Sequence, residues 1–213
     1  MHRLRVWGTV IATIVVLALP FVGGGGPGLT VPAHAAPLPV QATEASAAPK
    51  SCPAAITGVA TDNVPARTSP LGVGGTTQDD LVAFAEAFNA IRVENCLKPI
   101  PFDNFTWNSC MEQRLFWMAE DPSTDSLSAW GHLGSKRSDG VPSVGCDGNL
   151  AGGSDNTGAT VATKWWDSLP HRASLYRPES DTDGVCIAFA MTHGGIPNEA
   201  STFTRAAARW YDC

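Results

Sequence analysis

The side chains of this sequence best suited to chemistry are two histidines, His132 and His171, and one carboxylate, Asp147. His132 lies in the glycine-bounded stretch AWGHLGS, and His171 follows two tryptophans in WWDSLPH. An imidazole of ordinary pKa can transfer a proton or bind a metal if it lies in a cleft beside a group that orients it. Two imidazoles and one carboxylate would give Zn²⁺ three protein ligands and one open position, with His193 as a spare.

Several enzyme signatures are absent from the sequence. It contains no H-E-x-x-H for a zinc protease, no G-x-S-x-G for a serine hydrolase, and no phosphate-binding loop that ends in G-K-S or G-K-T. The glycine-rich stretch NLAGGSDNTG is interpreted as a turn, because it lacks the lysine and follows no convincing strand. A loop histidine is more commonly hydrogen-bonded or exposed than chemically active. The residues alone therefore leave a metal site, a proton-transfer cleft and a polar structural site open.

Three helices are predicted to position these residues. A capping box at Thr77, followed by apolar residues at helical spacing, predicts a helix over 78–95. Apolar residues spaced four, four and three apart predict a second helix over 107–120. A third helix fits TGATVATKWWDSL, which Pro170 ends immediately before His171.

Strand signals are concentrated near the end of the chain. The run GVCIAFAM, from Gly184 to Met191, is typical of a buried strand. The last segment, STFTRAAARWYDC, is ambiguous, because its alanines favour a helix and its flanking aromatic and β-branched residues favour a strand. Helices that precede most of the strands favour an α+β domain in layers over a series of βαβ units.

The first third of the chain is predicted to lie outside the folded domain. Residues 1–35 have the basic start, apolar run and A-x-A ending of a secretory signal peptide, with an uncleaved signal-anchor as the alternative. Residues 36–75 are rich in Pro, Ala and Gly and read as a flexible extension, which leaves 76–213 as one domain. No later stretch approaches membrane-spanning length, so the mature protein is expected to be soluble and secreted.

Charge and cysteine content limit the partners and the compartment. Removal of the signal deletes Arg3 and Arg5, which leaves 12 Lys and Arg against 20 Asp and Glu, a formal charge of −8. This sign opposes binding to nucleic acid or to an anionic membrane through a basic patch. An even number of cysteines in an exported chain predicts three disulfides. Position along the chain favours Cys146 with Cys186 and Cys52 with Cys213, although 15 pairings are open for Cys52, Cys96, Cys110, Cys146, Cys186 and Cys213.

Five segments in order resemble the CAP superfamily, which comprises cysteine-rich secretory proteins, antigen 5, plant pathogenesis-related proteins and bacterial SCP-like extracellular domains. The resemblance covers about 78–212. In bacterial members one segment looks like W-x-x-S-x-x-H-R, and all four named places are matched here. The residues at these four places are Trp165, Ser168, His171 and Arg172. The other four matching segments are Asn89 and Arg92 after Leu81, the stretch FTWNSCMEQRLFWMA, His132, and the stretch GNLAGG.

The resemblance implies a fold and a cleft. The fold would be a three-layer α-β-α sandwich with a small, mostly antiparallel sheet. Family members commonly gather two histidines and two glutamates, sometimes around a divalent metal, and His132 and His171 match the two histidines. Gly148 stands where the first glutamate is expected, Asp147 lies one position earlier, and no residue matches the second glutamate. This departure weakens a zinc site, and a one-residue shift would direct the Asp147 carboxylate elsewhere in an extended segment.

Three functions remain open. The resemblance favours a secreted binding or interaction module for a lipid, a sterol or an extracellular protein, rather than an enzyme. The alternatives are a secreted hydrolase or metal-dependent enzyme that uses the cleft, and a disulfide-stabilised structural surface protein. Ser168 is a candidate nucleophile or a helix-end capping residue, and Asn149 is a candidate cleft residue or a backbone-bonding residue.

Overall fold

A computed structural model describes residues 51–213, so the predicted signal at 1–35 and the start of the extension lie outside the described residues. No helix within the described range is both long and apolar enough to cross a membrane. The elements are α1 (Gln78–Glu94), β1 (Phe105–Trp107), α2 (Ser109–Ala119), β2 (Asn149–Ser154), α3 (Gly158–Asp167), a short helical turn (Leu169–His171), a π-helical turn (Arg172–Tyr176), β3 (Val185–Gly195) and β4 (Glu199–Asp212).

The three predicted helices are present, and each begins at a polar cap. At α1 the Asp80 N–H donates to the Thr77 hydroxyl at 3.1 Å, and the Thr77 N–H donates to the Asp80 carboxylate at 2.9 Å, which is the predicted capping box. At α2 the Asn108 side chain accepts from the backbone of Met111. These bonds satisfy N–H groups that a helix start otherwise leaves unpaired.

The four strands form one sheet in the order β1-β3-β4-β2. β1 is parallel to β3, whereas the β3–β4 and β4–β2 pairs are antiparallel. The α+β class and the mostly antiparallel sheet are therefore confirmed. The ambiguous last segment is β4, the longest strand. The interpretation of NLAGGSDNTG as a turn was wrong over its first six residues, which form β2 and pair with β4 from Asn149 opposite Ala208 to Ser154 opposite Phe203.

Alternate residues of the central strands β3 and β4 belong to two different hydrophobic clusters. Phe84 of α1 stacks on Phe189 of β3 with ring centroids 4.3 Å apart, and Trp165 of α3 meets Phe84 edge-on. On β3, Ala188 and Ala190 belong instead to the cluster that contains the apolar side chains of α2. Since alternate residues of a strand face opposite sides of a sheet, α1 and α3 cover one face and α2 the other. The three-layer sandwich stays a prediction that this distribution favours.

The cysteines form three disulfides, but not the two pairs that position along the chain favoured. The pairs are Cys52–Cys96, Cys110–Cys146 and Cys186–Cys213. Pairing Cys146 with Cys186 and Cys52 with Cys213 was wrong because strand register controls the geometry. Cys186 on β3 lies opposite Tyr211 of β4, which brings the chain end at Cys213 beside it. Three disulfides in one domain are consistent with an oxidising compartment.

The described part of the extension packs on the domain around a buried carboxylate. Glu112 of α2 is fully buried and accepts hydrogen bonds from the backbone of Thr76 at 2.8 Å and the indole of Trp107 at 3.2 Å. Arg67 of the extension lies 3.1 Å from its other oxygen. Val73 is also buried. A buried charge needs such partners, so this part of the extension contributes to the packing of α2.

His193 ties strand β3 to the start of α1. Its Nε2 lies 2.8 Å from the carboxylate of Asp80, and its backbone forms a bridge with Gly74. The hydrogen bond with Asp80 raises the pKa of His193 against the opposing effect of burial. Burial alone would raise the pKa of Asp80, but the bonds with His193 and Thr77 outweigh burial and lower that pKa. Folding therefore favours the charged form of both side chains.

This pair predicts a pH dependence of stability. A raised histidine pKa contributes stability that is complete below about pH 6.5 and is lost as the pH rises through the folded value. A lowered aspartate pKa contributes stability that is complete above about pH 4 and is lost as the pH falls. We expect His193→Gln to remove about 1 kcal/mol or less at pH 5.5 and almost none at pH 9, measured by denaturant unfolding. Equal losses at both pH values would contradict this account.

Candidate functional site

His132 and Asp147 form a hydrogen-bonded pair at the surface. His132 Nδ1 lies 2.8 Å from Asp147 Oδ1, which also accepts from the Gly148 N–H at 3.0 Å. The other carboxylate oxygen accepts from the Leu133 N–H at 3.1 Å. Burial raises the pKa of Asp147, but these three bonds together outweigh burial and lower it. An ionised carboxylate only accepts hydrogen bonds, so Nδ1 carries the proton and Nε2 is the free acceptor of the neutral ring.

Asp147 was predicted to point elsewhere only if its segment were extended, and this condition is not met. Alternation of side chains applies within a strand, and β2 begins only at Asn149. Asp147 precedes the strand and follows Gly145, whose φ of +79° turns the chain. A carboxylate one position before Gly148 therefore orients His132 directly.

His171 ends the short helical turn that follows α3. α3 is anchored by Trp165, which is 1 % exposed, and the chain continues through the short turn Leu169–His171. Arg172 then donates to the carbonyl of Trp166 at 2.6 Å and fixes the end of that turn. Burial lowers the pKa of His171, and the positive charge of His132 lowers it further. The structure thus pairs His132 with Asp147, and the effect of the His132 charge on the pKa of His171 is the observation that relates His171 to this pair.

Asn149 and Ser168 do not join the histidines. The Asn149 amide donates to the carbonyl of Ala208 at 3.2 Å and accepts from the hydroxyl of Ser174 at 2.6 Å. Asn149 therefore connects β2, β4 and the π-helical turn. Of the two roles predicted for Asn149, this is the one in which it bonds to backbone. The Ser168 side chain makes no hydrogen bond to any residue within 51–213, while its carbonyl accepts from Arg172 at 2.8 Å. Neither histidine activates Ser168 in this arrangement.

Arg114 of α2 holds the loop that carries His132, and sequence reasoning missed it. Arg114 is fully buried, and its Nη2 lies 2.8 Å from the carbonyl oxygens of both Gly131 and His132. It also donates to the hydroxyls of Ser135 and Ser143. Burial lowers the pKa of Arg114, and the nearby negative charge of Asp147 opposes this effect. A single buried guanidinium therefore fixes the backbone on which the imidazole is mounted.

The side chains around His132 do not fit a resident zinc ion. Zinc sites use three or four protein ligands, and the imidazoles of His132 and His171 would supply two of them at most. Gly148 has no side chain, and Asp147 already accepts three hydrogen bonds. Residues 51–213 contain no group of three or more His, Cys, Asp or Glu side chains placed to hold a metal ion. Zinc is therefore not part of the function proposed below.

Two exposed leucines flank the histidines. Leu133 follows His132 and is 54 % exposed, and Leu169 precedes His171 by two residues and is 72 % exposed. An oriented imidazole can accept a proton or a hydrogen bond through Nε2, and each of the two leucines offers exposed apolar surface next to a histidine in the sequence. Such a site can hold the polar end and the apolar body of one amphipathic molecule.

Comparison with known proteins gives no relative for this chain. No family model, no curated protein and no solved structure matches it. The likeness to the CAP superfamily therefore rests on the residues described above.

Proposed function

We propose that this chain is a secreted CAP-type domain that binds an amphipathic small molecule of the lipid or sterol class outside the cell. The observation that carries the proposal is the exposed imidazole of His132, which Asp147 orients and which the exposed Leu133 follows in the chain. A ligand hydroxyl or carboxylate would bond to the imidazoles, and its hydrocarbon part would cover the leucines. A protein partner that presents an apolar side chain beside a polar group would meet the same surface.

Three further observations support the extracellular CAP-type assignment. The segment that resembles W-x-x-S-x-x-H-R carries His171, whose pKa is lowered by the charge of His132, and this supports a cleft shared by the two histidines. Asn89 exchanges two hydrogen bonds with Ile100, at 2.7 and 2.8 Å, and Arg92 donates to Lys98 and Tyr176, so both matched α1 residues hold the chain that follows the helix. The three disulfides and the signal-like start agree with export.

A second candidate is a hydrolase, and the Asp147–His132 pair is the observation that favours it. A carboxylate that fixes the tautomer of a histidine is the arrangement of a general base. No hydroxyl of the described residues donates to either histidine, so the base would have to activate water. The ligand would then be an ester or amide of the same amphipathic class. The third candidate, a structural surface protein, requires neither histidine.

One binding experiment separates these functions. We expect the purified, oxidised protein to bind a fluorescent sterol or fatty acid saturably, and Leu133→Asp with Leu169→Asp to weaken binding at least tenfold. Leu127→Asp is the matched control, because Leu127 is 61 % exposed and its neighbour Ser126 bonds to Arg205 instead. The same samples are assayed with fatty-acid p-nitrophenyl esters.

The outcomes are distinct. Turnover that disappears in His132→Ala and in His171→Ala would replace the binding function with the hydrolase. Absence of saturable binding for both probes would overturn the lipid and sterol proposal. If, in addition, a variant with both His132→Ala and His171→Ala still bound an extracellular protein partner, the result would favour the third candidate, a structural surface protein.

A further inference from the structure

The segment Pro53 to Val59, PAAITGV, lies on the surface of the domain and has an unusual backbone environment. None of its backbone N–H or C=O groups is bonded to another residue within 51–213. Six of its seven residues are exposed, including Ile56 at 40 % and Val59 at 51 %. An extended strand normally pairs these groups with a neighbour or keeps polar side chains outside. This segment presents both free backbone groups and small apolar side chains to solvent.

Firm attachments bound the segment on both sides. Cys52 is bonded to Cys96, just beyond the end of α1. On the other side Ala60 is 3 % exposed, and its carbonyl accepts from the Gln78 side chain. Between these points no backbone hydrogen bond to a residue within 51–213 holds the chain.

The contact between the segment and the domain is small. The backbone of Gly58 lies against the ring of Phe102, where a β-carbon would come within 2.9 Å. Ile56 lines three open surface pockets beside Pro99, Val93 and Phe102. Because six of the seven residues are exposed and no hydrogen bond to a residue within 51–213 would break, local release of 53–59 requires little free energy.

The next part of the extension, residues 67–75, is held by backbone hydrogen bonds. Arg67 accepts from the Gly75 N–H at 2.9 Å, and Ser69 donates to Val73 at 2.9 Å. Arg67 is also paired with the buried Glu112. Release of this stretch would break these bonds, so exposure alone does not make the two stretches equivalent.

We propose that Ala54 to Val59 is a proteolytic processing site for endopeptidases that cleave after small aliphatic residues. Such enzymes bind a substrate as an extended strand through its backbone groups, which this segment offers, and exposed stretches of small residues are preferred sites of nicking. The peptide bonds after Ala54, Ala55 and Val59 have the required side chain. This inference is independent of the His132 site.

The reaction is a hydrolysis that leaves the disulfides unchanged. The C–N bond after Ala55, for example, breaks as water adds OH to the carbonyl carbon and H to the nitrogen, which gives a new carboxylate and a new amino group. Because Cys52 lies before the cut and Cys96 after it, the N-terminal fragment stays covalently attached. The product is a two-chain protein whose mass has increased by one water.

Limited digestion of the purified, oxidised protein with pancreatic elastase tests the proposal. We expect the first cut to lie within 54–60, as identified by N-terminal sequencing. The product should run as one band on a non-reducing denaturing gel and as two bands after reduction. The triple variant Ala54→Asp, Ala55→Asp and Val59→Asp should be cut at least tenfold more slowly, and Ala66→Asp, in the hydrogen-bonded stretch, at the wild-type rate.

Three results would overturn the proposal. The first is an initial cut elsewhere in the chain. The second is an unchanged rate in the triple variant, provided that its thermal unfolding matches the wild type. The third is resistance of the folded protein under conditions that digest the reduced, unfolded chain.

Discussion

Replacing Gly158 by alanine is expected to lower the free energy of unfolding by about 3 kcal/mol, although alanine normally stabilises a helix relative to glycine. Gly158 is the first residue of α3 and lies against α1. A β-carbon there would lie 2.6 Å from the backbone nitrogen of Phe84 and would also collide with the carbonyl of Asp80. Both obstacles are helix backbone, so the added methyl group must push α3 away from α1.

Denaturant unfolding of the two proteins measures this effect. Thr163→Ala is the control, because Thr163 is an exposed residue of the same helix and its change should alter stability by less than about 0.5 kcal/mol. Separation of α3 from α1 would also displace the turn that carries His171, so the variant should lose ligand binding together with stability. A Gly158→Ala protein as stable as the wild type would show that the two helices are not in the contact described.

The helices were predictable because their signals are local. The capping box at Thr77 and the apolar spacing in α1 and α2 depend on residues within one or two turns of each other. The observed bounds, Gln78–Glu94 and Ser109–Ala119, differ from the predicted ones by one or two residues. Fraying and capping at helix ends produce differences of this size.

Strand β2 was not predictable from its own residues. The sequence NLAGGS has two glycines and no β-branched residue, so it carries no strand propensity. It is a strand because β4 supplies the hydrogen bonds along its length, and because the ring of Trp130 lies over Gly152, where a β-carbon would meet it at 2.8 Å. The disulfide pairs depend in the same way on long-range register, which cysteine spacing does not encode.

The candidate site was predictable in part. The two histidines were selected by residue type and by the CAP resemblance, and in the structure the charge of His132 lowers the pKa of His171. Asp147 was named as a candidate beside the histidines, but the direction of its carboxylate was left open because the start of β2 was unknown. Arg114 was overlooked despite a usable signal: it is a charged residue on the apolar side of α2, three residues after Met111 and four before Met118. A charge in such a stripe indicates a buried hydrogen-bonding network.

Replacing Arg114 by methionine is the second change with a large expected effect. Methionine keeps much of the side-chain volume but removes the donors to Gly131, His132 and two serines. Buried acceptors without partners cost about 1–3 kcal/mol each, so we expect stability to fall by about 3 kcal/mol. Without these bonds the backbone at His132 is no longer held, and its imidazole should separate from Asp147.

Nitrogen NMR of the imidazole distinguishes this loss of positioning from general destabilisation. In the wild type the neutral His132 ring should be protonated at Nδ1, because Asp147 accepts that proton. Arg114→Met should shift the ring to the Nε2-protonated form and weaken the proposed binding of an amphipathic ligand. Arg114→Lys should retain part of the Nδ1-protonated form and part of the binding. Arg205→Met removes another buried guanidinium, paired with Glu199, and should reduce stability while the His132 tautomer stays unchanged. An unchanged tautomer in folded Arg114→Met would mean that the Asp147 contact alone positions His132.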